Sequence, residues 1–111
     1  MSSKVILIQS DVLGRGDDDL GMMLMSNFLR LLAEGKDKPK TLQFWNSGVK
    51  LACEGSWALA HLKKLQEKGV EILACTTCLE YFELMDKLKI GKPTNMLKTI
   101  DSMLHDDIVS L

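Results

Sequence analysis

Short apolar runs alternate along the chain with longer segments in which apolar residues recur every three or four positions. The short runs predict β-strands, and the longer segments predict amphipathic helices. Strands separated by helices favour right-handed crossovers and a mostly parallel sheet with helices on both faces. We therefore expect a three-layer α/β/α sandwich with a sheet of four to five strands. The predicted strands are KVILIQ (4–9), TLQFW (41–45), VEILA (70–74) and DIVSL (107–111), with LKI (88–90) as a further short candidate.

Four helices are predicted between these strands, each with a start or stop signal. The first begins near Asp18 and ends at Glu34 before Gly35. The second has Ser56 as its N-cap and Gly69 beyond its end, and the third runs from about Cys78 to Leu88. Thr94 would cap the fourth. The apolar positions of the first helix are Leu20, Met23, Leu24, Phe28, Leu31 and Leu32, and those of the fourth are Met96, Leu97, Ile100, Met103 and Leu104.

Length and composition narrow the class of protein. The 111 residues are enough for a single domain, which we assign to residues 1–111. The 14 Lys and Arg residues against 15 Asp and Glu residues exclude the basic surface typical of nucleic-acid binding. No apolar segment is long enough for a membrane span or a secretory signal, so we expect a cytoplasmic protein without membrane contact. Three cysteines in a reducing compartment are expected to be free thiols.

Three loops follow the carboxyl ends of the predicted strands, where ligands of parallel sheets collect. These loops are residues 10–19, 46–55 and 75–78, and two of them contain cysteine. Cys75 would lie at the start of a helix, where backbone N–H groups lower the pKa of a thiol and stabilise a thiolate or persulfide. The hydroxyls of Thr76 and Thr77 would add donors close by.

The spacing of Cys75 and Cys78 leaves several interpretations open. A C-x-x-C pair at a helix start is typical of dithiol oxidoreductases, which would need a reversible disulfide. A zinc site needs four ligands, and the chain offers only this pair with isolated residues elsewhere, so we expect no metal and no cofactor. Both thiols are also plausible packing residues, because free cysteine is often buried. Cys53 is interpreted as such a filler.

Other polar residues near this edge of the sheet are secondary candidates. Asn46 and Gly48 follow the second strand, and Asn46 would either orient a substrate or form an Asx-turn. Arg15 lies in a glycine-containing loop that would cover a pocket, while the neighbouring aspartates are typical of a helix cap. The methionine-rich segment 22–25 and Trp57 are compatible with an oligomer interface.

The motifs GVEILACTTCLEYFELMDKLKIGKPTNM, NSGVKLACEGS and LGRGDDDLGMMLM together resemble the DsrE/DsrF-like sulfur-relay family, and in particular its YedF-like branch, which is associated with selenium metabolism. The resemblance extends over nearly the whole chain. It implies a small α/β sandwich, assembled as a homo-oligomer, in which Cys75 carries a persulfide. Cys78 belongs to the YedF-like pattern without an assigned role.

The resemblance makes a sulfur carrier, and hence a sulfurtransferase, the leading hypothesis. Sulfur or selenium would be accepted at Cys75 and passed on, with Cys78 assisting or resolving, and with donor and acceptor proteins as partners. YedF-like proteins often contain a TusA-like domain, so a separate TusA-like protein is one expected partner. The alternative is a non-catalytic oligomeric binding or scaffold module with structural cysteines.

Overall fold

The computed structural model describes residues 3–111, in which five parallel strands form one sheet. The strand order is β4-β3-β2-β1-β5. The predicted three-layer α/β/α sandwich is confirmed, and the four long strand predictions agree with the structure to within one residue at each end. The strands are β1 (Lys4–Ile8), β2 (Thr41–Phe44), β3 (Glu71–Cys75), β4 (Lys92–Thr94) and β5 (Asp107–Ser110).

Four α-helices connect the strands, and two 3-10 helices lie in the connections. The first helix has the predicted bounds, and the carboxylate of Asp17 caps it by accepting the Leu20 N–H at 2.9 Å. The α-helices are α1 (Asp18–Glu34), α2 (Leu59–Glu67), α3 (Thr76–Tyr81) and α4 (Met96–His105). The 3-10 helices span Asn46–Ala52 and Met85–Lys87.

The connections place the helices on both faces of the sheet. Each of the connections from β1 to β2 and from β2 to β3 adds the next strand towards the β4 edge of the sheet. The connection from β4 to β5, which contains α4, runs in the opposite direction to the other edge. Right-handed crossovers therefore put α4 on the face opposite α1 and α2. The main core lies between the sheet and α1 with α2. Its largest members are Ile8, Leu42, Phe44, Ile72, Met25, Leu29, Leu62 and Leu65.

The second and third predicted helices differ from the structure. α2 begins at Leu59 rather than after Ser56, because the Ser56 hydroxyl accepts the Ala58 N–H and forms a turn instead of a helix cap. α3 begins before Cys78 and ends at Tyr81, far short of the predicted end. It stops because Glu83 adopts a positive φ of 57°, which a helix cannot continue through.

The connection into the fourth helix also differs. Asn95, not Thr94, caps α4, since the Asn95 side chain accepts the Lys98 N–H at 2.9 Å. The strand next to it is residues 92–94, whereas the strand candidate at residues 88–90 forms only an isolated bridge from Leu88 to Cys53. Pro93 is tolerated in β4 because this strand lies at the edge of the sheet.

The apolar face predicted for α1 is largely exposed. The buried stripe is instead Gly21, Met25, Leu29 and Ala33. Gly21 allows the helix to approach the loop before it, because an added Cβ there would lie 2.9 Å from the Val12 Cβ. The large apolar side chains left exposed on α1 are Leu20, Met22, Met23, Leu24 and Leu31.

Candidate functional site

Cys75 and Cys78 lie together at the carboxyl end of β3. Cys75 is the last residue of β3 and the N-cap of α3, so its Sγ accepts the N–H of Cys78 at 3.4 Å. The Cys75 residue is only 7% exposed, whereas Cys78, one helical turn later, is half-buried. The accessible thiol of the pair is therefore Cys78.

Asn46 connects the end of β2 to this pair. Its backbone N–H donates to the Sγ of Cys78 at 3.1 Å, across a separation of 32 residues in the sequence. Asn46 has a positive φ of 51°, a conformation that asparagine tolerates better than most residues. Its side-chain Oδ1 accepts the Ser47 N–H at 2.8 Å, so the side chain stabilises the turn while the backbone contacts the sulfur.

Gly48 shapes the site without lining it. An added Cβ at this position would lie 2.5 Å from the carbonyl oxygen of Ile8, far inside ordinary contact distance. Only glycine allows the 3-10 helix Asn46–Ala52 to pack this closely on the end of β1. Gly48 thereby positions the Asn46 N–H two residues before it.

A cavity of about 520 Å³ opens beside Cys78. Asn46, Thr77, Cys78, Tyr81 and Phe82 line it. The ring of Tyr81 packs edge-on against Phe82, with the ring centroids 5.3 Å apart. A substrate group that reaches Cys78 would therefore contact two aromatic rings and two polar residues.

Aromatic residues are usually expected in the core, but Tyr81 is highly exposed. The spacing of Tyr81 and Phe82, three and four residues from Cys78, was the signal that could have placed them beside the thiol. The Nζ of Lys50 lies 4.6 Å from the centroid of the Phe82 ring, in a cation–π contact. The positive charge of Lys50 thus lies next to Phe82, which lines the cavity.

The surroundings of Cys78 favour its protonated thiol over the thiolate. Burial and the hydrogen bond with Cys75 raise the pKa of Cys78 above its ordinary value. The Asn46 N–H opposes this shift, because a donor that points at the sulfur favours the thiolate. The same N–H would stabilise an anion on Cys78 once the proton has left.

Cys53 is separate from this pair. It is buried among core residues, its Sγ lies 3.2 Å from the carbonyl oxygen of Val49, and burial raises the pKa of its thiol. These contacts agree with its interpretation as a packing residue.

Of the remaining candidate residues, only Thr77 lines the cavity. Thr77 lines it, whereas Thr76, the first residue of α3, is half-buried and lies outside the lining. Arg15 is exposed in the loop before α1 and also lies outside the lining. That loop reaches the site through Asp11, whose N–H donates to the Ser47 hydroxyl at 3.3 Å.

Two further features of residues 3–111 concern metal binding and membrane-spanning helices. No three of their His, Cys, Asp or Glu side chains form a group that would hold a metal ion. No helix among these residues combines the length and the apolar character that crossing a membrane requires.

Comparisons with known proteins identify the fold. No protein-family model matches the chain, and no curated protein matches its sequence. Among solved structures, the YchN protein from E. coli is similar with a TM-score of 0.74 and 16% sequence identity, and the match covers 100% of both chains. A protein of unknown function from Methanobacterium thermoautotrophicum, MTH1491, is similar with a TM-score of 0.68 and 18% identity over 97% of both chains. The chain therefore shares its α/β fold with these two proteins.

Proposed function

We propose that this protein is a sulfur-relay protein that accepts sulfur, or selenium, on the Cys75–Cys78 pair and passes it on. The observation that carries the proposal is the accessible Cys78 thiol, which borders a cavity and receives the Asn46 N–H, with a second thiol directly behind it. The DsrE-like fold and the resemblance to YedF-like proteins support the same conclusion. The sequence pattern favoured Cys75 as the acceptor, whereas the exposure of the two thiols favours Cys78.

The transfer needs no oxidant. The Cys78 sulfur attacks the outer sulfur of a donor persulfide, so a new S–S bond forms on Cys78 as the donor S–S bond breaks. The Cys78 proton ends on the donor thiol, which leaves. The products are a Cys78 persulfide and a reduced donor, and an acceptor thiol reverses the same exchange to collect the sulfur.

The site has a group for each stage of this exchange. Burial and the Cys75 side chain favour the protonated form of Cys78 in the resting protein, which limits reaction with unrelated electrophiles. The Asn46 N–H stabilises the sulfur anion during transfer. Tyr81 and Phe82 form the rim against which a donor would pack.

The partners proposed for this site are donor and acceptor proteins, among them a TusA-like protein. A cytoplasmic location is part of the same proposal, because relay thiols must stay reduced. A homo-oligomer is part of it as well, because the family resemblance implies one. The exposed Tyr81 ring beside the cavity suits contact with a second protein surface better than a small ligand held in an enclosed pocket.

The test is mass spectrometry of the protein after incubation with a persulfide donor, such as a cysteine desulfurase with cysteine. We expect a mass gain of one sulfur atom that Cys78→Ser abolishes. Cys53→Ser is the matched control, because it removes a buried thiol far from the cavity and should leave loading unchanged. Loading that persists in Cys78→Ser but is lost in Cys75→Ser would return the acceptor role to Cys75, and absence of loading in the wild type would refute the carrier.

A scaffold or binding module is the second candidate function. The apolar side chains exposed on α1 favour it, together with a cavity of about 540 Å³ that Met22, Met23, Trp57 and His61 help to line. This alternative predicts that no cysteine is loaded and that all three are alkylated slowly at neutral pH. The loading experiment therefore separates the two functions.

A further inference from the structure

Helix α4 contacts the sheet through Thr99 and leaves much of its apolar side exposed to solvent. Polar contacts hold it in this orientation: Thr99 is buried against Gln43, to which it is hydrogen-bonded, and Lys98 pairs with Glu71 at 3.3 Å. Just beyond the helix, Asp106 pairs with Lys40 at 3.0 Å. A surface helix normally does the reverse, burying its apolar stripe and exposing its polar one.

The exposed stripe consists of five large apolar side chains. Leu97 and Leu104 are 78% and 74% exposed, and the other three are between 42% and 51% exposed. The five are Met96, Leu97, Ile100, Met103 and Leu104. Leaving such a stripe in water forfeits the hydrophobic stabilisation that burial would supply, so the stripe points to a covering surface.

The arrangement of the stripe indicates which surface covers it. Its five positions are symmetric about Ile100 along the helix. At 100° per residue they also spread evenly to both sides of Ile100 around the helix axis. Two copies of α4 packed antiparallel would therefore place Ile100 against Ile100, Leu97 beside Leu104 and Met96 beside Met103. A two-fold interface requires this kind of self-complementary pattern.

The area agrees with a dimer of this kind. The exposed parts of the five side chains amount to roughly 500 Å², and a standard interface buries about 800 Å² per partner, of which about 65% is apolar in homodimers. The apolar component of a stable dimer is thus already present on α4 alone. Val109 and Leu111, which are also partly exposed, follow the helix in the chain.

We propose that α4 is a homodimer interface in which two copies of the chain pack their α4 helices antiparallel about a two-fold axis at Ile100. The interface lies on the side of the sheet opposite α1 and α2. It is independent of the α1 surface named above and does not rest on the proposed sulfur chemistry.

The first test is the oligomeric mass, measured by sedimentation velocity over a wide range of protein concentration. We expect Ile100→Glu to halve the mass, because it places two carboxylates face to face at the axis. Leu97→Glu, at a highly exposed position that cannot disturb the fold, should weaken assembly as well. Met85→Glu is the matched control, since Met85 is as exposed as Ile100 but lies elsewhere on the surface. A monomeric wild type, or a mass unchanged by Ile100→Glu, would overturn the proposal.

The second test is cysteine crosslinking in a Cys78→Ser background, and it fixes the helix orientation. In the antiparallel arrangement Ile100→Cys should form an intermolecular disulfide with its own copy. Leu97→Cys should not, because the two Leu97 positions would be offset by about 9 Å along the axis, beyond disulfide reach. Leu97→Cys combined with Leu104→Cys should restore crosslinking. Efficient crosslinking of Leu97→Cys alone would overturn the antiparallel arrangement.

Discussion

Replacing Gly48 with alanine tests how the fold positions the site. The added methyl group would lie 2.5 Å from the Ile8 carbonyl oxygen, whereas ordinary contact begins at 3.4 Å. The 3-10 helix Asn46–Ala52 must therefore move away from β1 by about 0.9 Å, and the obstructing atom belongs to a strand held on both sides by neighbouring strands.

The expected cost follows from this displacement. Overpacking of a well-packed interior typically costs about 1–3 kcal/mol, and a backbone obstacle places Gly48→Ala at about 2–3 kcal/mol. For a domain of this size that corresponds to a fall in Tm of roughly 8–12 °C. The shift also moves the Asn46 N–H, so Cys78 should change its alkylation rate in the same variant.

Urea titration measures the free energy of unfolding, and iodoacetamide labelling measures the alkylation rate of the Cys78 thiol. Gly35→Ala is the comparison, because Gly35 has an ordinary φ of −63° and an added Cβ there would lie 3.2 Å from the Leu31 carbonyl oxygen, so its cost should be clearly smaller than that of Gly48→Ala. A Gly48→Ala protein as stable as the wild type, with an unchanged Cys78, would refute the close packing on which this account of the site depends.

Three further predictions follow from single contacts. Cys75→Ala removes a hydrogen bond that raises the pKa of Cys78, so the labelling rate of Cys78 at pH 7 should increase; an equal or slower rate would contradict the coupling. The Lys40 ammonium holds the pKa of the Asp106 carboxyl below its usual value, mainly through a hydrogen bond. The resulting stability is present above about pH 3.9 and is lost as the pH falls through the lowered pKa. In Lys40→Met the unfolding free energy, measured by urea titration, should therefore depend less on pH in this range. Thr99→Val leaves a buried amide on the sheet unpaired and should lower the unfolding free energy by about 1–3 kcal/mol in urea titrations, whereas a neutral result would mean that the amide finds another partner.

The strands and α1 were predictable because their signals are local. Buried parallel strands appear as continuous apolar runs, and α1 has a carboxylate cap at one end and Gly35 at the other. β4 was missed because its three residues, Lys92–Thr94, carry no apolar run. Its hydrogen bonds to β3, rather than its own propensity, make it a strand.

The site was predictable only in part, because its decisive contacts are distant in sequence. The spacing placed Cys75 and Cys78 at one helix start, and the strand order placed Asn46 at the same edge. The pattern did not show that Cys78 is the accessible thiol, since that depends on how the loop after β2 packs. Periodicity likewise predicted α4 but not which way its apolar face would point, because only the tertiary contacts of Thr99 fix that direction.

The most direct test of the sulfur-relay account is to locate the transferred atom in the wild-type protein. After loading with a persulfide donor, the protein is alkylated, digested and analysed peptide by peptide, before and after addition of an acceptor thiol. The account predicts one additional sulfur on Cys78, lost when the acceptor is added, with Cys53 unmodified throughout. Additional sulfur on Cys53, on all three cysteines equally or on none would contradict it.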